Sequence, residues 1–177
     1  MRMTLLSLAT CTVALIGCAS GGVVSEQQDP VLVMIANGGS LRYNKDVRVI
    51  TSSVDGSPTT LWPRLNSTYA SMGLPVTERD STKYAVAAQN ASFNGRFMNQ
   101  AMSRIVDCGD TPTGSRANAY RVWLTVVSQL QPSATGTTLR TSVAAKAQDP
   151  SSSTSSVQCG TTGELEHEIA KQLGARD

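Results

Sequence analysis

The chain has 177 residues, a formal net charge of +2, and 40% apolar but only 5% aromatic residues. A chain of this length supplies one hydrophobic core and leaves no room for a second domain of ordinary size. No run of like charges occurs along the sequence. We therefore expect neither a nucleic-acid-binding segment nor a lipid-surface segment of the polybasic kind.

Residues 1–17 have the layout of a secretory signal. Arg2 precedes a mostly apolar stretch, residues 4–17, that contains no acidic residue, as in the leader of an exported protein. Hydroxyl side chains interrupt the stretch, and it is shorter than the roughly 20 apolar residues of a membrane-spanning helix. The pattern predicts export without a transmembrane anchor.

The sequence Leu15-Ile16-Gly17-Cys18 directly follows this stretch and resembles the bacterial lipobox. The resemblance implies that Cys18 becomes the N-terminus and carries a thioether-linked diacylglycerol and an amide-linked acyl chain, enough for stable anchoring. The alternative is a plain signal cleaved elsewhere, with Cys18 an ordinary thiol. Ala19 follows the cysteine, and by the enteric sorting rule this favours the outer membrane, with the protein facing the periplasm.

The two remaining cysteines are expected to pair. Cys11 leaves with the signal and Cys18 carries lipid, so Cys108 and Cys159 are left, and an oxidising periplasm favours a disulfide. A redox or metal role is less well supported, because the chain has neither a Cys-x-x-Cys motif nor a second histidine.

Residues 18–42 read as a lipidated, flexible tether, and residues 43–177 as a single domain. The tether is rich in Gly, Ser and Gln, which favour solvated backbone. Val31–Ala36 is six apolar residues long and interrupts this composition. We expect it to form an edge strand on the domain or to bind a partner.

The predicted elements begin with a strand at 47–51 and a helix. The helix starts after Ser57 with Thr59 or Thr60 as its cap and Pro63 in its first turn, and Gly73 ends it. A hairpin of strands at 75–80 and 84–88 follows, and helical spacing of apolar residues predicts a short helix at 96–106. The apolar face of the first helix consists of Leu61, Trp62, Leu65, Tyr69 and Met72.

Two long antiparallel strands are predicted at 119–128 and 138–147, followed by a short strand at 157–159 and a last helix from about Thr162. An antiparallel sheet with one apolar face has to be covered, and the two amphipathic helices are the available cover. The predicted fold is therefore α+β: an antiparallel sheet covered on one face by two helices, with a short extra helix and one disulfide.

Three stretches carry a further resemblance: 61–65 (LWPRL), 73–80 (GLPVTERD) and 83–86 (KYAV). They resemble the helix-grip domains of the lipoprotein C subunit of the outer-membrane β-barrel assembly machinery, where a helix begun by tryptophan ends in glycine and leads into a Val-Thr-x-x-Asp strand. The similarity covers residues 45–175 and implies a helix-grip fold and an envelope partner. The chain departs from that family in its single domain, its cysteine pair and an added segment at 93–114, which leaves partner and process open.

The sequence predicts no catalytic centre, metal site or cofactor. His167, the sole histidine, falls on the polar side of the last helix, where a surface role is expected rather than general-base catalysis. No Gly-x-Ser-x-Gly elbow is present. Glu78 and Asp80 would face the same side of a strand end, and we interpret them as part of an acid-rich turn rather than a cation site.

Together these features predict a noncatalytic periplasmic lipoprotein, held on a membrane through Cys18, that acts as a binding or scaffolding module for an envelope protein. Outer-membrane protein assembly or envelope maintenance is the expected process. The alternative is a lipoprotein that binds a small apolar or peptide ligand in a groove between helix and sheet, lined by Trp62, Leu65 and Tyr69.

Overall fold

The chain forms one strand and one helix, then a long antiparallel series, then a final helix. The computed structural model describes residues 47–152 and 155–175. The helices are α1 (Pro58–Ser71), α2 (Arg116–Ala119) and α3 (Glu164–Gln172), with a 3-10 turn at Met102–Arg104. The strands are β1 (Val49–Val54), β2 (Glu78–Asp80), β3 (Ala85–Asn94), β4 (Arg96–Phe97), β5 (Gln100–Ala101), β6 (Val106–Asp107), β7 (Asp110–Thr111), β8 (Gly114–Ser115), β9 (Arg121–Ser133), β10 (Gly136–Gln148) and β11 (Ser156–Thr161).

The main sheet is antiparallel and runs in the order β2-β3-β9-β10-β11-β6. Two strands share the edge of β10 that faces away from β9: β1 pairs with residues 137–142 of β10, and β11 pairs with residues 145–148. The β9–β10 hairpin stays in register over all thirteen pairs from Gly136↔Ser133 to Gln148↔Arg121. The predicted α+β class and antiparallel sheet are confirmed.

The core lies between one face of this sheet and the helices α1 and α3. Along β9, burial alternates with every second residue, as expected for a strand with one face packed and one face open. Helix α1 buries Leu61, Leu65 and Tyr69 here, and α3 buries Leu165 and Ile169.

Helix α1 begins earlier than predicted. Ser57, not Thr59 or Thr60, is the cap: its hydroxyl accepts from the Thr60 amide at 3.3 Å, and the Thr60 hydroxyl accepts from the Ser57 amide at 3.2 Å. This reciprocal capping box satisfies two amides that the first turn leaves free, and it places Pro63 beyond the first turn. Gly73 has a φ of 71° just after the helix, so the predicted stop is correct.

The predicted helix at 96–106 is wrong. Residues 96–101 form the β4–β5 hairpin, and only the 3-10 turn at 102–104 is helical. Met98 and Asn99 have φ values of 48° and 62°, which gives the two-residue turn of a tight hairpin. The apolar spacing was misleading because Phe97 and Met102 reach the core from a hairpin and a turn. The third helix of the structure is instead α2.

A disulfide joins this inserted segment to the sheet. Cys108 follows β6 and bonds to Cys159 of β11 with an S–S distance of 2.05 Å. The predicted pairing is confirmed. The signal, Cys18, the tether and Val31–Ala36 lie outside the described residues, so the expectations about them stay predictions.

Candidate functional site

The space between α1 and the sheet is filled by the protein's own side chains. Leu65 and Tyr69, two of the three residues predicted to line a groove, are fully buried in the core. Trp62, the third, is half-buried and packs against the core from its edge. A ligand entering between α1 and β9 would have to displace Leu65 and Tyr69, which close packing makes costly.

Polar groups beneath α1 are paired with each other. The Tyr69 hydroxyl donates to Ser128 Oγ at 2.9 Å, and Ser128 Oγ lies 2.9 Å from Thr141 Oγ1. Ser128 and Thr141 belong to β9 and β10, so this chain of hydroxyls ties the helix to both central strands. Buried polar atoms need such partners, and the arrangement stabilises the fold.

An aromatic pair remains accessible at the start of α1. The rings of Trp62 and Tyr84 meet edge to face, with centroids 6.2 Å apart and planes at 69°. Thr59 Oγ1 lies 3.1 Å from the Tyr84 hydroxyl. Tyr84 has a φ of 49°, a conformation that is uncommon for a bulky residue and costs energy unless its surroundings hold it. The sequence pattern did not distinguish Tyr84 from the other residues of the predicted hairpin, where it is the first residue of the second strand.

Glu166 is a buried carboxylate that sequence analysis did not distinguish from the other acids of the last helix. It is 1% exposed, and its two oxygens lie 2.8 and 3.0 Å from Thr161 Oγ1. Burial raises the pKa of Glu166, while its own backbone amide, Thr161, and the charges of His167 and Arg48 act in the opposite direction. A helical wheel places Glu166 within about 60° of Ile169, and this was the signal for its burial.

Of the two acids of β2, Asp80 holds the expected turn and Glu78 does not take part in it. Asp80 accepts from the Thr82 hydroxyl at 2.6 Å and from the amides of Thr82 and Lys83 at 2.9 and 3.1 Å. The hydrogen bond from the Thr82 side chain is the main reason that the pKa of Asp80 is lowered. Glu78 instead accepts from Gln89 Nε2 at 2.7 Å. Over residues 47–152 and 155–175, no group of three or more His, Cys, Asp or Glu side chains is placed to hold a metal ion.

His167 lies on the surface, as predicted. Its Nδ1 is 2.8 Å from the carbonyl oxygen of Gly163, one turn earlier in the chain. This contact holds the ring against the start of α3.

A cavity of about 350 Å³ lies where β1 ends beside the β9–β10 turn. Its walls are mostly residues with hydroxyl side chains, with one acid, and they lack the large hydrophobic and aromatic side chains typical of small-molecule sites. The residues around it are Ser53, Val54, Asp55, Ser133, Thr135 and Thr137.

The comparison with known proteins assigns no family: the chain matches no family model and no curated protein sequence. Among the helices of the described residues, none has both the length and the apolar character needed to cross a bilayer.

Proposed function

We propose that this protein is a lipid-anchored envelope lipoprotein whose folded part serves as a noncatalytic binding or scaffolding module. The observation that carries the proposal is the Leu15–Cys18 lipobox directly behind an apolar leader. The Cys108–Cys159 disulfide supports it, because such bonds form and persist mainly outside the reducing cytosol. The anchored domain would face the periplasm, and Ala19 favours the outer membrane as the membrane that holds it.

Binding is proposed rather than catalysis because three titratable groups that could have served in catalysis are engaged in structural contacts. Asp80 holds a turn, Glu166 is held by Thr161, and His167 contacts a backbone carbonyl. The resemblance of residues 45–175 to a domain of the β-barrel assembly machinery suggests outer-membrane protein assembly or envelope maintenance as the process, with an envelope protein as partner.

Metabolic labelling with an alkyne analogue of palmitate tests the anchor. We expect label on the wild type and on the matched Cys11→Ser control, whose cysteine would leave with the signal, and none on Cys18→Ser. Mass spectrometry of the mature wild type should place its first residue at Cys18. A mature chain that begins at Met1, without acyl groups and with free thiols at Cys108 and Cys159, would refute the proposal.

Crosslinking in intact cells tests the partner. A photoreactive residue at Trp62, Met98 or Val33 should yield an adduct with an envelope protein, which mass spectrometry then identifies. Recovery of the monomer alone from all three positions would count against a scaffolding role.

The alternative, a small apolar or peptide ligand, is favoured by one observation, the accessible Trp62–Tyr84 pair. Native mass spectrometry of the purified protein should then show a bound species, and Trp62→Ala should release it. A wild-type mass that corresponds to the protein without any bound species would refute this alternative.

A further inference from the structure

The second face of the sheet is open. Helices α1 and α3 pack on one face. Apart from the buried Ser142, the side chains at the alternate positions of β9 and β10 that point the other way are exposed or half-exposed. Because the two strands are in register, these side chains form continuous rows across the hairpin. We use the name open face for Arg121, Trp123, Val127, Arg140, Ala144 and Lys146.

Trp123 is the unusual residue of this face. Of the seven aromatic residues in the described ranges, it alone belongs neither to the core cluster nor to the partly buried residues packed against that cluster. Its register partner is Lys146, whose Nζ lies 5.6 Å from the indole centroid. A large ring with one polar N–H, held at the surface, suits a boundary between apolar and aqueous phases.

The charges of the open face are all positive. Arg121, Arg140 and Lys146 lie on its strands, and the described ion pairs, Lys83–Asp80 and Arg104–Glu164, include none of the three. The nearest strand with acids on this side is β2, where Asp80 is held by Thr82 and Glu78 by Gln89. On β9 and β10, two and three strands away from these acids, the charge is positive, so this part of the sheet complements an anionic surface.

We infer that the open face docks on an anionic lipid surface, with Trp123 at the level of the headgroups and the three cations toward the lipid phosphates. This inference rests on the proposed function, since acyl chains on Cys18 would hold the domain beside such a surface. Arginine and lysine gain energy only within about a Debye length of anionic lipid, so the face has to lie close to the surface.

An acidic protein is the competing occupant, and the composition of the face argues against it. Tryptophan and arginine also anchor protein interfaces, but there they cluster around a well-packed centre from which water is excluded. Here the large apolar side chains are Trp123 and Val127 alone, beside the small Ala144. A lipid surface requires only an interfacial aromatic residue and cations around it.

Fluorescence quenching by brominated lipids tests the inference on the full, acylated chain. The protein is reconstituted in dibromophosphatidylcholine vesicles with or without phosphatidylglycerol, and flotation first establishes whether it is anchored. We expect bromine to quench an emission component in the phosphatidylglycerol vesicles, and Trp123→Phe should remove that component. Trp62, on the helix side of the sheet, provides the unquenched reference.

A charge variant and a matched control give the second arm. Arg140→Gln with Lys146→Gln should weaken the lipid contact about thirtyfold, because each basic residue near an anionic surface contributes about 1 kcal/mol. Arg64→Gln with Lys171→Gln removes the same charge from exposed positions on α1 and α3 and should leave the quenching unchanged. Raising the salt concentration should weaken the contact of the wild type.

The outcomes separate the two proposals. A chain that floats with the vesicles but shows no Trp123 quenching, or equal quenching in both double variants, overturns the docking inference and leaves the anchor intact. A chain that does not float with neutral vesicles refutes the anchor instead. In that case salt-dependent binding to phosphatidylglycerol vesicles, lost in Arg140→Gln/Lys146→Gln, supports the docking inference, and its absence overturns it. A crosslink from position 123 to an acidic protein, without quenching, also overturns it.

Discussion

At the scale of single residues, the burial of Glu166 makes the stability of the folded protein depend on pH. Burial raises its pKa in the folded protein above the ordinary value of 4.5. A group of this kind contributes stability that is fully present below the pKa of the unfolded chain and is lost as the pH rises through the folded pKa. The folded protein therefore gains stability from this residue in acid and loses it toward neutrality.

We predict that Glu166→Gln raises the free energy of unfolding at pH 7 and that the gain shrinks at pH 4. Glutamine keeps an acceptor for Thr161 without a charge to desolvate. Urea titrations at both pH values measure the effect. Glu164→Gln, an exposed position in the same turn, should change stability by less than about 1 kcal/mol, since surface ion pairs contribute little. A loss of stability in Glu166→Gln at pH 7 would show that the carboxylate charge is needed.

A comparison of Tyr69 with Tyr84 measures how much the hydrogen bond of a buried hydroxyl contributes to the free energy of unfolding. Tyr69→Phe removes the hydrogen bond to Ser128, and we expect it to lower the free energy of unfolding by about 1 kcal/mol. Tyr84→Phe removes an exposed contact with Thr59 and should have almost no effect. Urea denaturation compares the two variants, and equal losses would contradict the difference in burial.

At the scale of elements, the inserted segment shows how a glycine redirects the chain. Gly95 has a φ of 65°, and a Cβ at this position would lie 2.7 Å from the carbonyl oxygen of Asn118. Both the left-handed conformation and the contact with the end of α2 require glycine. The same residue ends β3 and starts the β4–β5 hairpin, where the apolar spacing alone predicted a helix.

Gly95→Ala should therefore destabilise the protein more than Gly73→Ala does. Gly73 has a φ of 71° but open space around it, so alanine there carries only the conformational cost, about 1 kcal/mol. At Gly95 the backbone contact adds to that cost, and we expect a loss of at least about 2 kcal/mol. Thermal unfolding of both variants measures this, and equal shifts in Tm would mean that α2 moves aside.

At the scale of the whole molecule, the disulfide restricts the unfolded chain. Cys108 and Cys159 are 51 residues apart, and closing a loop of this size stabilises a fold by about 4 kcal/mol in the chain-entropy model. The double variant Cys108→Ser/Cys159→Ser should lose about this much in urea titrations, and reductant should lower the stability of the wild type but not of the variant. A wild type unaffected by full reduction would contradict this role.

The open face also exists only at this scale. Arg121, Arg140 and Lys146 are far apart in a sequence without charge runs, so the linear pattern indicated no lipid-binding segment. Strand pairing sets Lys146 opposite Trp123 and Arg140 opposite Gln129, and the face appears when the hairpin forms. The same holds for the predicted groove, since the pattern that placed Leu65 and Tyr69 on one face of α1 could not tell a lined groove from a filled core.

The sequence by itself determined the features that depend on neighbouring residues: the strand alternation of β9, the glycine after α1, the turn at Asp80, and the α+β class. The cysteine pairing also followed from it, because only two cysteines remained once Cys11 and Cys18 were assigned. Tertiary structure decided the rest. Residues 96–101, predicted as part of a helix, form a hairpin because Gly95 lies close to α2. Glu166 is buried because α3 packs it beside Thr161. The contact between Gly95 and Asn118 joins residues distant in the chain, and local periodicity carries no information about such contacts. For Glu166 the helical position beside Ile169 pointed to burial, and the packing of α3 decided it.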